Sequence, residues 1–115
     1  MADVVTLISD MLFSSKVREV AKQLGVTVQS TREPAALATA AREAKLVIID
    51  LRLDKALAAL DLLAGDPATS SIATVGFIDH ELTDVMEQAR AKGCQQVMAK
   101  GQFATALPKL LSSLK

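Results

Sequence analysis

Five short runs of apolar residues alternate along this chain with five stretches of helical periodicity. Short apolar runs rich in Val and Ile predict buried strands, whereas apolar residues that recur every three or four positions predict amphipathic helices. The predicted strands cover residues 4–9, 26–29, 45–50, 72–77 and 94–99. The predicted helices cover residues 16–24, 34–44, 53–64, 81–92 and 103–114.

The connections between these elements are only a few residues long, which limits how the strands can pair. Strands joined by crossover helices run parallel, and right-handed crossovers place helices on both faces of the sheet. The continuous apolar runs VVTLIS and KLVIID are typical of parallel strands that are buried on both faces. The pattern therefore predicts an α/β chain with one domain over residues 1–115, folded as a flavodoxin-like (βα)5 three-layer sandwich.

Several residues mark where the predicted helices begin and end. Ser14 and Ser15 are N-cap candidates for the first helix, and Gly25 follows its predicted last residue. Pro34 suits the first turn of the second helix, where its missing N–H costs nothing. Pro108 suits the interior of the fifth helix poorly, so we expect that helix to start late or to be kinked.

Composition narrows the classes of partner. Thirteen basic and thirteen acidic residues cancel, and no Lys/Arg cluster is long enough to bind nucleic acid. The only aromatic residues are three Phe, so the stacking platforms of single-strand binders are missing as well. The N-terminal segment resembles neither a signal peptide nor a membrane span, which favours a cytoplasmic protein without a membrane partner.

Three single residues receive structural interpretations. Cys94 is the only cysteine and is expected to be a buried, small apolar residue rather than a nucleophile. His80 is the only histidine, which excludes metal sites built on several imidazoles, and a turn or cap role at the fourth helix is expected. Asp79, next to it, is expected to cap the same helix.

Charged residues end or closely follow four of the predicted strands: Asp10, Asp50, Asp79 and Lys100. In an open parallel sheet, a site forms outside the carboxyl ends of the strands near the topological switch point. With the strand order 2-1-3-4-5, Asp10 and Asp50 lie on adjacent strands, and Lys100 faces them from the last strand. Two carboxylates repel each other unless a cation neutralises them, so an oxygen-loving ion such as Mg²⁺ fits this set.

The layout resembles the receiver domain of two-component response regulators over nearly the whole chain. The motifs that carry the resemblance are LISD, LVIIDLR, DPATSSIATVGF and VMAKG. The resemblance implies that Asp50 accepts a phosphoryl group and that Lys100 contacts that group. It also implies a Mg²⁺ ion held by Asp10, Asp50 and the backbone carbonyl of Arg52.

Other positions depart from the receiver pattern. Ser9 replaces the first acid of the metal-binding pair, and Ile78 replaces a hydroxyl residue that would contact the phosphoryl group. Val97 stands near the place of the switch aromatic, and Gly101 replaces a proline. The loop after the acceptor is shortened to LRLDKA, and its Arg52 side chain puts a cation where it could neutralise Asp50 or Asp10.

Three functions follow from these observations. The first is a receiver-like signalling domain in a phosphorelay, which is not itself an enzyme and receives a phosphoryl group from a sensor histidine kinase or another signalling protein. The second is a phosphorylation-independent pseudo-receiver that acts as a protein-interaction module, with the fourth and fifth helices as its candidate surface. The third is an unrelated enzyme on the same scaffold, which would need a sizeable pocket away from Asp50. A monomer or a weak homodimer is expected.

Overall fold

Strands and helices alternate along the computed structural model, which describes residues 2–79 and 82–114. The strands of this part of the chain are β1 (Val4–Leu7), β2 (Val28–Thr31), β3 (Leu46–Asp50), β4 (Ala73–Ile78) and β5 (Gln96–Ala99). Its helices are α1 (Met11–Leu24), α2 (Pro34–Ala41), α3 (Ala56–Gly65), α4 (Thr83–Ala91) and α5 (Lys100–Ser112). The predicted elements are all present, and no bound differs from its prediction by more than five residues.

The strands form one parallel sheet in the order β2-β1-β3-β4-β5, which confirms the predicted order. Strand β3 is central, and all five of its residues are buried. In the register, Ile49 lies beside Leu7 on one side and Gly76 on the other, and Asp50 lies beside Phe77. The carboxyl ends of β1, β3 and β4 therefore meet at one edge of the sheet.

A separate apolar core covers each face of the sheet. Helices α2, α3 and α4 pack on one face against alternate strand residues such as Val5, Val47 and Ile49. Helices α1 and α5 pack on the other face against Val4 and Ile48, among others. Because successive strand residues point to opposite faces, apolar runs of this kind supply both cores at once. The three-layer sandwich is thus confirmed.

Helix α1 begins earlier than predicted. Its N-cap is Asp10, whose side-chain oxygen accepts hydrogen bonds from the backbone N–H groups of Leu12 and Phe13 at 2.9 and 3.3 Å. The prediction that Ser14 or Ser15 caps the helix was wrong, because Asp10 already satisfies the first orphan donors and the helix runs through both serines.

The other helix ends show how local rules and burial compete. Pro34 is in the first turn of α2, and Gly25 ends α1 with a left-handed φ of 72°, as expected. Helix α5 begins at Lys100, three residues before its predicted start, and Pro108 lies inside it. Burial of Leu107 and Leu111 on either side of the proline offsets the missing hydrogen bond.

Two further predictions concern the start of the fourth helix and the possibility of a membrane span. His80, expected at a turn or cap, and Glu81, the predicted start of the fourth helix, lie outside the described residues. Within the described ranges, no helix has both the length and the apolar character needed to cross a bilayer.

Candidate functional site

The candidate site lies at the carboxyl edge of the sheet, where β1, β3 and β4 end and α5 begins. Asp50 is the last residue of β3, and Asp10 follows β1 by three residues. Lys100 is the first residue of α5 and follows β5 directly. The Lys100 ammonium reaches Asp10, whereas Asp50 is bound by other groups.

Asp50 is almost fully buried, with 1% of its surface exposed. Its Oδ2 accepts a hydrogen bond from the exposed Ser9 hydroxyl at 3.1 Å. Its Oδ1 accepts one from the backbone N–H of Arg52 at 3.0 Å. A buried carboxylate needs such donors to compensate for lost water, and these two also fix the orientation of the group.

Asp10 combines a structural and an electrostatic role. The backbone N–H groups of Phe13 and Leu12, together with the Lys100 ammonium, hold the pKa of the Asp10 carboxyl below its ordinary value, although desolvation opposes them. Lys100 Nζ lies 3.4 Å from Asp10 Oδ2. Because the ionised form caps α1 and binds Lys100 at the same time, this carboxylate is charged in the resting domain.

Lys100 lies between acidic side chains and an aromatic ring. Its Nζ lies 5.3 Å from the centre of the Phe13 ring, which packs on Phe77 with the ring centres 5.1 Å apart. The Phe77 ring in turn stacks on Phe103 at 4.6 Å. Aromatic faces attract cations, so the Phe13 ring stabilises the lysine ammonium, and the other two phenylalanines hold that ring in place. Only 22% of the Lys100 side chain is exposed.

Asp79 is a site residue that the sequence interpretation assigned wrongly. The N-cap of α4 is Leu82, and that cap has no side-chain hydrogen bond. The Asp79 carboxylate instead lies 3.9 Å from Arg52 Nε and 3.9 Å from Lys100 Nζ. The rule that identified Asp10 and Asp50, an acid after a parallel strand, applies equally to Asp79 and would have found it.

The Arg52 side chain also differs from expectation. It was predicted to neutralise Asp50 or Asp10, but in the described part of the chain its ion pair is with Asp79. The same holds for Lys100, whose ion pairs among the described residues are with Asp10 and Asp79 and not with Asp50. Asp50 is therefore satisfied by neutral donors, while the cations are shared between the other two acids.

Two positions that depart from the receiver pattern belong to the apolar core. Ile78 is buried at the end of β4, and Val97 is half-buried in β5. Neither side chain carries a hydrogen-bond donor. Cys94 is buried too, as predicted, and burial raises the pKa of its thiol.

The donors present do not suit a magnesium ion as they stand. No three acids among the described residues group together as metal ligands. Asp50 and Asp10 are oxygen donors of the kind that Mg²⁺ prefers, and both oxygens of each accept hydrogen bonds that a bound ion would have to share or displace. The predicted ligand set of Asp10, Asp50 and the Arg52 carbonyl stays a prediction.

Solved receiver-domain structures superimpose on most of this chain, although no protein-family model and no curated protein matches its sequence. A response regulator from Hahella chejuensis is 18% identical with a TM-score of 0.81, over 99% of this chain and 95% of that one. The receiver domain of a sensor histidine kinase from Pseudomonas aeruginosa, with magnesium coordinated in its active site cleft, is 13% identical with a TM-score of 0.80, over 98% and 96%. A phosphorylated cyanobacterial phytochrome response regulator is 15% identical with a TM-score of 0.76, over 98% and 90%. The chain has the fold of response-regulator receiver domains.

Proposed function

We propose that this chain is a receiver-like signalling domain in a phosphorelay and that Asp50 is its phosphoryl acceptor. The observation that carries the proposal is the position of Asp50 at the end of the central strand, on the same edge as the Asp10–Lys100 ion pair. The receiver fold adds support, since one structure with this fold is a phosphorylated response regulator. A sensor histidine kinase or another signalling protein is the proposed donor.

The chemistry at Asp50 is the transfer of a phosphoryl group to a carboxylate oxygen. That oxygen attacks the phosphorus of a phosphohistidine on the donor, and the P–N bond breaks as the new O–P bond forms. The electron pair of the P–N bond leaves with the imidazole nitrogen, which takes a proton from solvent. Lys100, whose side chain is only 22% exposed, supplies a positive charge at this edge. This reaction requires such a charge to neutralise the transferring phosphoryl group.

Ser9 and the backbone of Arg52 have defined roles in this proposal. Their hydrogen bonds orient the Asp50 carboxylate before transfer. When the Asp50 oxygen bound by Ser9 becomes the nucleophile, the hydrogen bond between them breaks. The Ser9 hydroxyl is then free to donate a hydrogen bond to a phosphoryl oxygen. A phosphoryl acceptor in a relay does not turn over a free substrate, so we propose that the chain is not an enzyme.

An interaction module without phosphorylation is the second candidate, and the Asp79 contacts favour it. Arg52 and Lys100 each already have an acidic partner, so the cations of this edge are neutralised without a phosphoryl group. In this case the exposed faces of α4 and α5 are the proposed binding surface.

An unrelated enzyme has weaker support. A groove away from Asp50 measures about 540 Å³ and is lined mainly by alanines. Thr39 supplies a hydroxyl to this groove, but that hydroxyl donates to the Ala35 carbonyl within the same helix. Hydroxyl groups bound in this way are poor nucleophiles because no base activates them.

Phosphorylation of Asp50 is tested by incubation with acetyl phosphate, with and without Mg²⁺, followed by intact-mass spectrometry. We expect the wild type to gain one phosphoryl group and Asp50→Asn to gain none. The matched control is Asp54→Asn, which removes an exposed acid from the same loop and should react like the wild type. Comparison of the two magnesium conditions tests the predicted metal.

The contradicting result is equally specific. If neither acetyl phosphate nor a phosphorylated histidine kinase modifies the folded wild type, while a conventional receiver reacts in the same tubes, Asp50 is not an acceptor. The interaction-module proposal then takes its place.

A further inference from the structure

Asp79 connects two cations that come from different parts of the fold. Arg52 lies in the loop after β3 and Lys100 begins α5, yet both nitrogens lie 3.9 Å from the Asp79 carboxylate. We infer that Asp79 is an internal counter-anion that occupies Lys100 and Arg52 in the resting domain and is displaced when Asp50 carries a phosphoryl group. The inference depends on the proposed function, because it concerns the same site.

The geometry of these ion pairs suits a contact that can be exchanged. At 3.9 Å, both lie at the outer limit of an ion pair, and the Asp79 and Arg52 side chains are 46% and 52% exposed. Exposed pairs of this kind contribute little free energy and are weakened by salt. The Lys100–Asp10 pair is shorter and more buried, so Lys100 remains at the edge when Asp79 leaves.

The charge balance explains why a phosphoryl group would displace Asp79. Besides Asp50, the edge holds two cations, Arg52 and Lys100, and two acids, Asp10 and Asp79. Asp50 itself is satisfied by the neutral Ser9 hydroxyl and a backbone N–H. A phosphoryl group on Asp50 adds about one extra negative charge and three strong acceptor oxygens. It competes with the single Asp79 carboxylate for the same two cations.

The backbone of Asp79 connects this site to the start of helix α4. Asp79 follows the buried Ile78, and its carbonyl accepts a hydrogen bond from the Leu82 N–H at 3.1 Å. Leu82 is the N-cap of α4 and partly exposes its side chain. Because Ile78 has no donor to report a phosphoryl group, release of Asp79 would transmit the change to the start of α4 instead.

The experiment compares Asp79→Asn with Asp61→Asn. Asp61 also forms an ion pair, with Lys92 at 2.9 Å, but it lies on α3 outside the site. We expect Asp79→Asn to raise the rate of phosphorylation by acetyl phosphate roughly twofold to tenfold, the range that two exposed pairs are worth. Asp61→Asn should leave that rate unchanged.

Two further readouts separate charge competition from a structural effect. In the background of Lys100→Gln, Asp79→Asn should produce little or no gain, and high salt should shrink the gain in the native background. In the wild type, phosphorylation should also speed hydrogen exchange at the Leu82 amide, measured by mass spectrometry on short peptides.

Each outcome decides the inference. Phosphorylation of Asp79→Asn alone, or faster than the wild type, supports it. If Asp79→Asn is phosphorylated no faster than the wild type, or if the rate of hydrogen exchange at the Leu82 amide does not change on phosphorylation, the inference is overturned. Asp50 remains an acceptor in either case. If neither acetyl phosphate nor a phosphorylated histidine kinase modifies either protein while a conventional receiver reacts, both the inference and the proposed function are wrong.

Discussion

Ser9 and Asp50 form a pair in which one hydroxyl changes the electrostatics of the edge. The receiver resemblance implies an acid at position 9, and such an acid beside Asp50 would need a cation to offset the repulsion. The Ser9 hydroxyl donates a hydrogen bond to Asp50 instead, so the buried carboxylate is satisfied without a metal. The substitution thus exchanges a metal requirement for a hydrogen bond.

Substitution of Ser9 by Asp should restore that requirement. Without divalent cations, Ser9→Asp is expected to lower the free energy of unfolding by about 1–3 kcal/mol, because it removes a hydrogen bond to a buried charge and adds a like charge. Added Mg²⁺ should recover much of the loss by binding the folded state alone. Urea unfolding in EDTA and in Mg²⁺ measures both effects.

The control for this prediction is Ser9→Asn, which has the size of the Asp variant without its charge. Its stability should not respond to Mg²⁺. An equal response of the two variants would show that the effect of Mg²⁺ does not depend on the second acid. No response in either would show that the edge does not bind the ion even with that acid present.

The sequence predicts which residues lie at the site, but it does not predict which side chains pair with one another there. Asp10, Asp50 and Lys100 were placed at one edge because they follow strands, and the position of a strand end depends only on the alternation of elements. The partners of Arg52 and Asp79 depend on side-chain rotamers and on which acids are already satisfied. No spacing rule contains that information, which is why Arg52 was assigned to the wrong acid.

At the scale of elements, strand positions were more predictable than helix starts. Strands are limited by apolar runs that bury both faces, whereas a helix begins wherever a cap and a buried first turn coincide. Asp10 and Ser14 are both acceptable caps by sequence. Packing of Phe13 on Phe77 favours the earlier start, since it places that ring in the first turn of α1.

Strand β4 contains a glycine whose size matters for the loop that carries the site. A Cβ atom at Gly76 would lie 2.7 Å from Leu51 Cδ1 and 2.9 Å from its Cγ. Gly76→Ala is therefore expected to lower the free energy of unfolding by about 1–3 kcal/mol, because Leu51 is buried and has to shift. Urea denaturation monitored by circular dichroism measures the change.

A second glycine provides the control for this steric effect. A Cβ atom at Gly101, in the first turn of α5, would meet nothing within 4 Å. Gly101→Ala should raise stability by up to about 1 kcal/mol through its better helix propensity. If both alanine variants changed stability in the same direction, contact with Leu51 would not be the reason for the glycine in β4.

At the scale of the whole molecule, the topology and the resemblance to receiver domains were both predictable from sequence patterns and motifs. Short connections and right-handed crossovers leave few arrangements for five alternating strands and helices, so a doubly wound parallel sheet followed from general rules, and the receiver resemblance implied its strand order. The solved structures reported above share only 13–18% identity with this chain, yet cover 98–99% of it. Many apolar sequences can fill the same two cores, which preserves the fold while the residues diverge.

The distribution of exposed apolar side chains predicts the oligomeric state. Among the described residues, the large exposed ones are Met11 and Leu12 at the start of α1, Leu62 on α3 and Leu82 before α4. Specific interfaces bury about 800 Å² on each partner and use roughly 20–30 residues, which an isolated pair such as Met11 and Leu12 cannot supply. We therefore expect a monomer at micromolar concentration, with a sedimentation coefficient that does not change on tenfold dilution.

A dimer that persists on dilution would contradict this expectation. If Leu12→Lys dissociates that dimer while Leu62→Lys does not, the self-association surface lies beside Asp10.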